Sequence, residues 1–192
     1  TVEACRFLIK NFSPKVIVIA CNTMSVNSLS VLREVFPDIA FVGTVPAIKL
    51  ASEISVKKRI GLLATKSTIE NPYNLDLKKH FANDCELFCR ADPELISFIE
   101  HKSFDASFEE CRKACVPAVE FFSKNDCDVI ILGCTHFLNI VNVIQTVAGE
   151  SIKVVDSREG VVTQALKVWN LNNNSGASQG IPTREGDISL LE

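Results

Sequence analysis

Apolar positions along this chain switch repeatedly between two periods. Val16 to Ala20 is five apolar residues in a row, rich in β-branched side chains and too short for a helix. Before it, Val2, Cys5, Leu8 and Ile9 share one face of a helix over residues 2–12. After it, Met24, Leu29, Leu32 and Val35-Phe36 mark the buried face of a helix over 23–36, which Pro37-Asp38 stops. The alternation continues. Strands are predicted over 39–45, 59–64, 85–89, 129–132 and 153–155. Helices are predicted over 47–56, 72–81, 94–101, 104–124 and 137–147, with a last one from an Asp156-Ser157 N-cap to Trp169. Pro117 predicts a kink or break in the longest helix. Residues 171–192, opening with an Asn/Ser/Gly run, predict a mobile tail whose last dozen residues form at most a short edge strand. Strands alternating with helices throughout imply an α/β fold with mostly parallel sheets.

One tract occurs twice. Val16 to Thr23 reads VIVIACNT, and Val129 to His136 reads VIILGCTH. Phe7-Leu8-Ile9-Lys10-Asn11 precedes the first, and Phe121-Phe122-Ser123-Lys124-Asn125 precedes the second. A helical pattern follows each. Two related helix–strand–cysteine–helix units point to a duplicated architecture that brings Cys21 and Cys134 together. Polar residues gather where strands end: Cys21-Asn22-Thr23, Thr65 to Thr68 (a polar loop), Cys134-Thr135-His136 and Asp156-Ser157. In open α/β sheets that edge is where ligands bind.

Composition narrows the function. The chain has 192 residues, 47% hydrophobic and 22% charged, enough for one large domain or two small ones. A net charge of −3 gives no electrostatic footprint for nucleic acid. No apolar run approaches the ~20 residues that span a bilayer. The eight cysteines read mostly as small buried hydrophobes in a reducing cytoplasm rather than as disulfide staples. Cys85/Cys89 and Cys111/Cys115 have zinc-ligand spacing, but no His or Gly knuckle supports a metal site. Glu109-Glu110, Lys57 to Arg59 and Lys78-Lys79 read as solvated faces.

A single cysteine ending a buried strand is usually core. Two of them in matching strings, each before a helix start whose unpaired N–H groups favour an anion, point instead to chemistry. Asn22, Thr23 and Thr135 add donors there, and His136 can orient the Cys134 thiol or exchange a proton with it. Two thiols on symmetric strand ends, one taking a proton as the other gives one, are what a cofactor-free racemase needs.

Ala20-Cys21-Asn22-Thr23 and Gly133-Cys134-Thr135-His136 resemble the paired signatures of the aspartate/glutamate racemase superfamily, its glutamate racemases in particular. Leu62 to Thr68 is similar to that family's Ala-Thr-x-x-Thr segment, and Val154-Val155-Asp156-Ser157 to its late Val-Asp-Ser segment. The resemblance implies two similar α/β domains, pseudo-twofold related, facing across a cleft: residues 1–46 with 154–170, and 47–153. It implies interconversion of L- and D-glutamate without a cofactor, in a bacterial cytoplasm, for peptidoglycan. Cys21 and Cys134 would be the acid/base thiols, with His136 assisting Cys134. Asn22, Thr23 and Thr135 would bind the substrate, and Thr65 and Thr68 would line the pocket. Glu100 is a loose match to an acidic residue of the second domain. Glutamate is the implied small-molecule partner, and a homodimer is the assembly to test.

The chain also departs from that pattern. It opens in mid-helix without methionine, beyond the family's Asp-Ser-Gly and Pro-Tyr-Gly segments, so an N-terminal part is expected to be absent and the polypeptide to be inactive by itself. Phe137-Leu138-Asn139 lacks the proline common after the second signature, and Asn71-Pro72-Tyr73 blurs a usual serine. The alternatives are an aspartate or other amino-acid racemase, a catalytically inactive binding protein, and a thiol redox or zinc protein.

Overall fold

The computed structural model describes residues 1–174, which divide into two compact units. The first unit takes Thr1–Val45 and the described chain over residues 158–174, and the second takes Pro46–Ser157.

In the first unit, α1 (Val2–Phe12), β1 (Val16–Ile19), α2 (Asn22–Val35) and β2 (Ala40–Gly43) follow in order, and the chain returns to it as α9 (Arg158–Asn174). β1 and β2 pair in parallel, Ile17 beside Phe41. Cys5, Ile17, Ile19, Leu29, Leu32 and Phe41 form the core. α9 lies on both strands, with Lys15 Nζ 5.4 Å from the centre of the Trp169 ring. The expected buried face of α2 needs correction: Met24 and Val35 are exposed, and Asn22 and Ser25 are buried with Leu29 and Leu32. The first turn of α2 meets strand ends rather than apolar side chains. Ser25 Oγ donates to the Ile19 carbonyl at 3.0 Å and accepts the Thr44 N–H at 2.9 Å. α9 runs through Asn174, past the expected start of the tail at 171, and the rest of that tail lies outside the described residues.

The second unit runs α3 (Ile48–Ile54), β3 (Arg59–Ala64), α4 (Lys66–Ile69), α5 (Pro72–Phe81), β4 (Glu86–Ala91), α6 (Pro93–His101), α7 (Phe108–Lys124), β5 (Val129–Gly133), a 3-10 helix (Thr135–Ile140), α8 (Val141–Ala148) and β6 (Lys153–Val155). All four strands are parallel, in the order β4-β3-β5-β6. The central pair is buried on both faces, which explains why β3 and β5 read as unbroken apolar runs. β6 pairs along β5, so residues 154 and 155 belong to this sheet rather than to the other domain. Other expectations also shift. Thr65 to Thr68 is not a loop: Thr65 caps the short α4, accepting the Thr68 N–H at 3.2 Å. α7 starts at 108, not 104, because Ser107 and Glu110 form a reciprocal capping box. Pro117 does not break it; burial of Cys111, Cys115, Ala118, Val119 and Phe122 outweighs the local cost. Cys134 is followed by 3-10 rather than α-helix, with Phe137 and Ile140 buried at the three-residue spacing of that helix. Among the described residues, no helix is long and apolar enough to cross a membrane.

The repeat extends to hydrogen bonds. Asn11 Nδ2 donates to the Phe7 carbonyl at 2.8 Å, and Asn125 Nδ2 donates to the Phe121 carbonyl at 2.8 Å. A left-handed residue then turns each chain toward its strand: Ser13 (φ 45°) before Val16, and Asp126 (φ 55°) before Val129. That offset is the same in both copies, whereas Asn11 stands one residue farther from Cys21 than Asn125 does from Cys134, so the difference lies at the helix end.

Candidate active site

Each repeated strand delivers its cysteine in the same backbone state. Cys21 has φ −150° and ψ 124°, and Cys134 has φ −147° and ψ 133°. Both are extended N-caps whose side chains make no cap bond to the helix that follows. They differ beyond that. The Cys21 carbonyl accepts from Ser25 N at 2.9 Å, which starts an α-helix; the Cys134 carbonyl accepts from Phe137 N at 3.2 Å, which starts the tighter 3-10 form.

Cys134 is buried at the C-terminal edge of the second unit's sheet. Gly133 pairs with Ala64, so Thr65 and Cys134 leave adjacent strands side by side. The Cys134 Sγ lies 3.3 Å from His136 Nδ1, and His136 Nε2 lies 2.9 Å from Glu100 Oε1 near the end of α6. This is a continuous chain of thiol, imidazole and carboxylate. A carboxylate only accepts, so the imidazole proton faces Glu100 on Nε2, and Nδ1 is left to accept the thiol proton. Glu100 thus belongs with the expected site residues Cys134 and His136. Its helix brings it there from a distant part of the sequence, and only its loose family match marked it beforehand.

The other expected residues fall into two groups. Thr135, beside Cys134, is half-buried. Thr65 is half-buried, its hydroxyl 3.0 Å from that of Thr68, and Thr68 is fully buried. Thr68 therefore shapes the turn that presents Thr65. In the first unit, Cys21 is half-buried, as is Thr23, while Asn22 is 2% exposed. The Asn22 side-chain nitrogen is a buried donor with no partner among the described residues. A buried amide in that condition is costly, and a ligand oxygen would satisfy it.

Burial pushes the Cys115 thiol up to about 12 and the Cys127 thiol up to about 11, so both stay protonated core groups. Cys111 is buried with them, and Cys89 is exposed on β4. Among the described residues, no three His, Cys, Asp or Glu side chains are grouped so that they could hold a metal ion.

Comparison with known proteins gives a consistent picture. The family described as Asp/Glu/Hydantoin racemase matches residues 3–165. The glutamate racemase of Treponema pallidum (strain Nichols) is 42% identical over 158 residues, covering 82% of this chain and 59% of that protein. The glutamate racemase of Bartonella bacilliformis is 35% identical over 174 residues, covering 88% of this chain and 64% of that one. This chain therefore spans less than two thirds of either relative. Among solved structures, Escherichia coli glutamate racemase, in complex with L-glutamate and the activator UDP-MurNAc-ala, is similar with a TM-score of 0.73. It shares 28% identity over 95% of this chain and 67% of its own.

Proposed function

This chain belongs to the Asp/Glu/hydantoin racemase family, and on that premise we propose that it interconverts L- and D-glutamate without a cofactor. The observation that carries the reading is the Cys134–His136–Glu100 chain at a strand end whose backbone is repeated at Cys21. In one direction, the Cys134 thiolate takes the α-proton: the Cα–H bond breaks, an S–H bond forms, and the electron pair delocalises into the substrate carboxylate. The Cys21 thiol gives its proton to the opposite face of the same carbon and becomes the thiolate. The reverse direction exchanges the roles. His136 holds or returns the Cys134 proton through Nδ1, and Glu100 balances the imidazolium that forms. The α-proton is weakly acidic, so fixed donors must stabilise the carbanion. Asn22, Thr23 and Thr135 supply them, and the N-terminus of α2 adds its partial positive charge. Thr65 borders the site beside Cys134, with Thr68 beneath it.

The two thiols serve one carbon only if the units face each other across a cleft, the arrangement proposed here. The reading sets the reaction in a bacterial cytoplasm, making D-glutamate for peptidoglycan, with glutamate as the small-molecule partner. A homodimer remains to be tested by sedimentation. The deciding experiment is α-proton exchange in heavy water, followed by NMR with L- and D-glutamate and then both aspartates. It uses the longest polypeptide that carries these residues. Exchange with both glutamates supports the reading. Exchange with aspartate alone moves the substrate, and exchange with none of the four refutes the glutamate reading.

A further inference from the structure

Glu100 reaches His136 from the far end of α6, and a part-buried ion pair holds the near end. Asp92 is 6% exposed and caps α6. Its Oδ1 accepts the Leu95 N–H at 3.0 Å. Its Oδ2 accepts from Arg90 Nε at 2.9 Å and lies 2.8 Å from Arg90 Nη2. Arg90 ends β4 with Ala91, and its guanidinium lies over the Phe121 ring of α7, 5.6 Å from the ring centre. The Asp92–Arg90 pair therefore joins β4, α6 and α7.

α6 has nine residues, a length at which a helix depends on its surroundings to form and stay placed. Leu95 and Ile99 anchor one face in the core that Phe137 and Ile140 share, and α6 packs on the 3-10 helix that carries His136. Glu100 sits eight residues beyond Asp92, about 12 Å along the axis at ~1.5 Å per residue. A small rotation or slide of the helix therefore carries the carboxylate off His136. The Glu100–His136 contact cannot supply the restraint itself. Its side chains are 44% and 41% exposed, where an ion pair holds its partners only weakly.

We propose that Asp92, locked by Arg90, is a positioning residue. It sets α6 so that Glu100 keeps the proton on His136 Nε2 and leaves Nδ1 to the Cys134 thiol. The use made of that proton rests on the racemase reading, whereas the placement can be tested without turnover.

The test is the tautomer of His136, read by long-range proton–nitrogen NMR on ¹⁵N-histidine protein at a pH of about 7.5, above the ordinary imidazole value and below the ordinary thiol value. The chain has three histidines. His80 Nδ1 is 2.8 Å from the Asp76 carbonyl and His101 Nδ1 is 2.9 Å from the Ser97 carbonyl, so both carry the proton on Nδ1. His136 alone carries it on Nε2, and the other two serve as internal controls. Asp92→Asn keeps an acceptor for the Leu95 N–H but loses the ion pair. Arg90→Met removes the pair from the other side and leaves the cap. In each folded variant, His136 is expected to lose its single tautomer and become a mixture, while His80 and His101 stay unchanged. An unchanged His136 tautomer in either folded variant overturns the proposal. Glu100→Ala separates the causes of failure. If it releases the tautomer and the Asp92 and Arg90 variants do not, the positioning idea alone falls. If it does not, the Glu100–His136 relay of the proposed mechanism falls as well.

Discussion

Gly133→Ala tests how tightly the strand before Cys134 is seated. A Cβ at this position would stand 2.7 Å from Leu62 Cδ1, 3.0 Å from Ala64 Cβ and 3.3 Å from the Leu63 carbonyl oxygen. Carbon atoms rest ~3.5–4.0 Å apart, so the methyl overlaps Leu62 by about 1 Å. Neighbouring groups have little room to yield. Leu62 is fully buried, the Ala64 methyl has no rotamer to change, and the carbonyl belongs to the β3 backbone. Relief requires either an off-rotamer Leu62 or separation of β5 from β3, and over-packing of this kind costs roughly 1–3 kcal/mol. Movement of β5 also shifts Cys134 and His136 relative to Glu100 on α6. Urea unfolding measures the loss, with two other glycines as references. Gly160→Ala, in the first turn of α9 with nothing within 4 Å, should be neutral or stabilising by up to about 1 kcal/mol. Gly149→Ala also enters open space, but φ is +68° there, so backbone strain should cost about 1 kcal/mol or more. A Gly133→Ala protein as stable as the parent would refute the close approach of β5 to β3.

Two further outcomes are expected. Burial pushes the Asp128 carboxyl up, but bonds from the Lys57 N–H, the Ser55 hydroxyl and the Val56 N–H outweigh it and hold the group below the usual carboxylate range. Its stabilisation is therefore present above the unfolded value of about 3.9 and is lost as pH falls through the lower folded value. Asp128→Asn should destabilise by about 1 kcal/mol at neutral pH, and the gap should shrink below pH ~4; a gap of equal size in acid unfolding would rule out a role for the charge. On the proposed reading, Cys21→Ser or Cys134→Ser in the longest polypeptide that carries these residues should abolish racemisation, read by polarimetry, while leaving one-sided deuterium exchange, read by NMR, and full racemisation by either variant removes the two-thiol mechanism.

Much of this was legible because burial and periodicity coincide in parallel strands. β3 and β5 are apolar on both faces, so composition alone marks them. The repeat was visible through Phe7 and Asn11 against Phe121 and Asn125, residues that turn out to make equivalent bonds. Misreadings arose where burial is not apolar. At the start of α2, the buried positions are Asn22 and Ser25, so following Met24 picks the wrong face. The Ser107–Glu110 box was an available signal for the start of α7 that helical periodicity overrode. Glu100 joins the site through tertiary placement of α6, which no local spacing encodes.

The interrupted first unit has a consequence for synthesis. Pro46–Ser157 is continuous and holds its whole four-stranded sheet, so it can fold as soon as it leaves the ribosome. β1 and β2 emerge earlier but are covered by α9, which is made after that entire stretch. Throughout the interval, their α9-side surface is open to chaperones or to misassembly with other nascent chains. Slowing translation just after Ser157 should therefore harm folding yield more than the same pause placed inside the second unit.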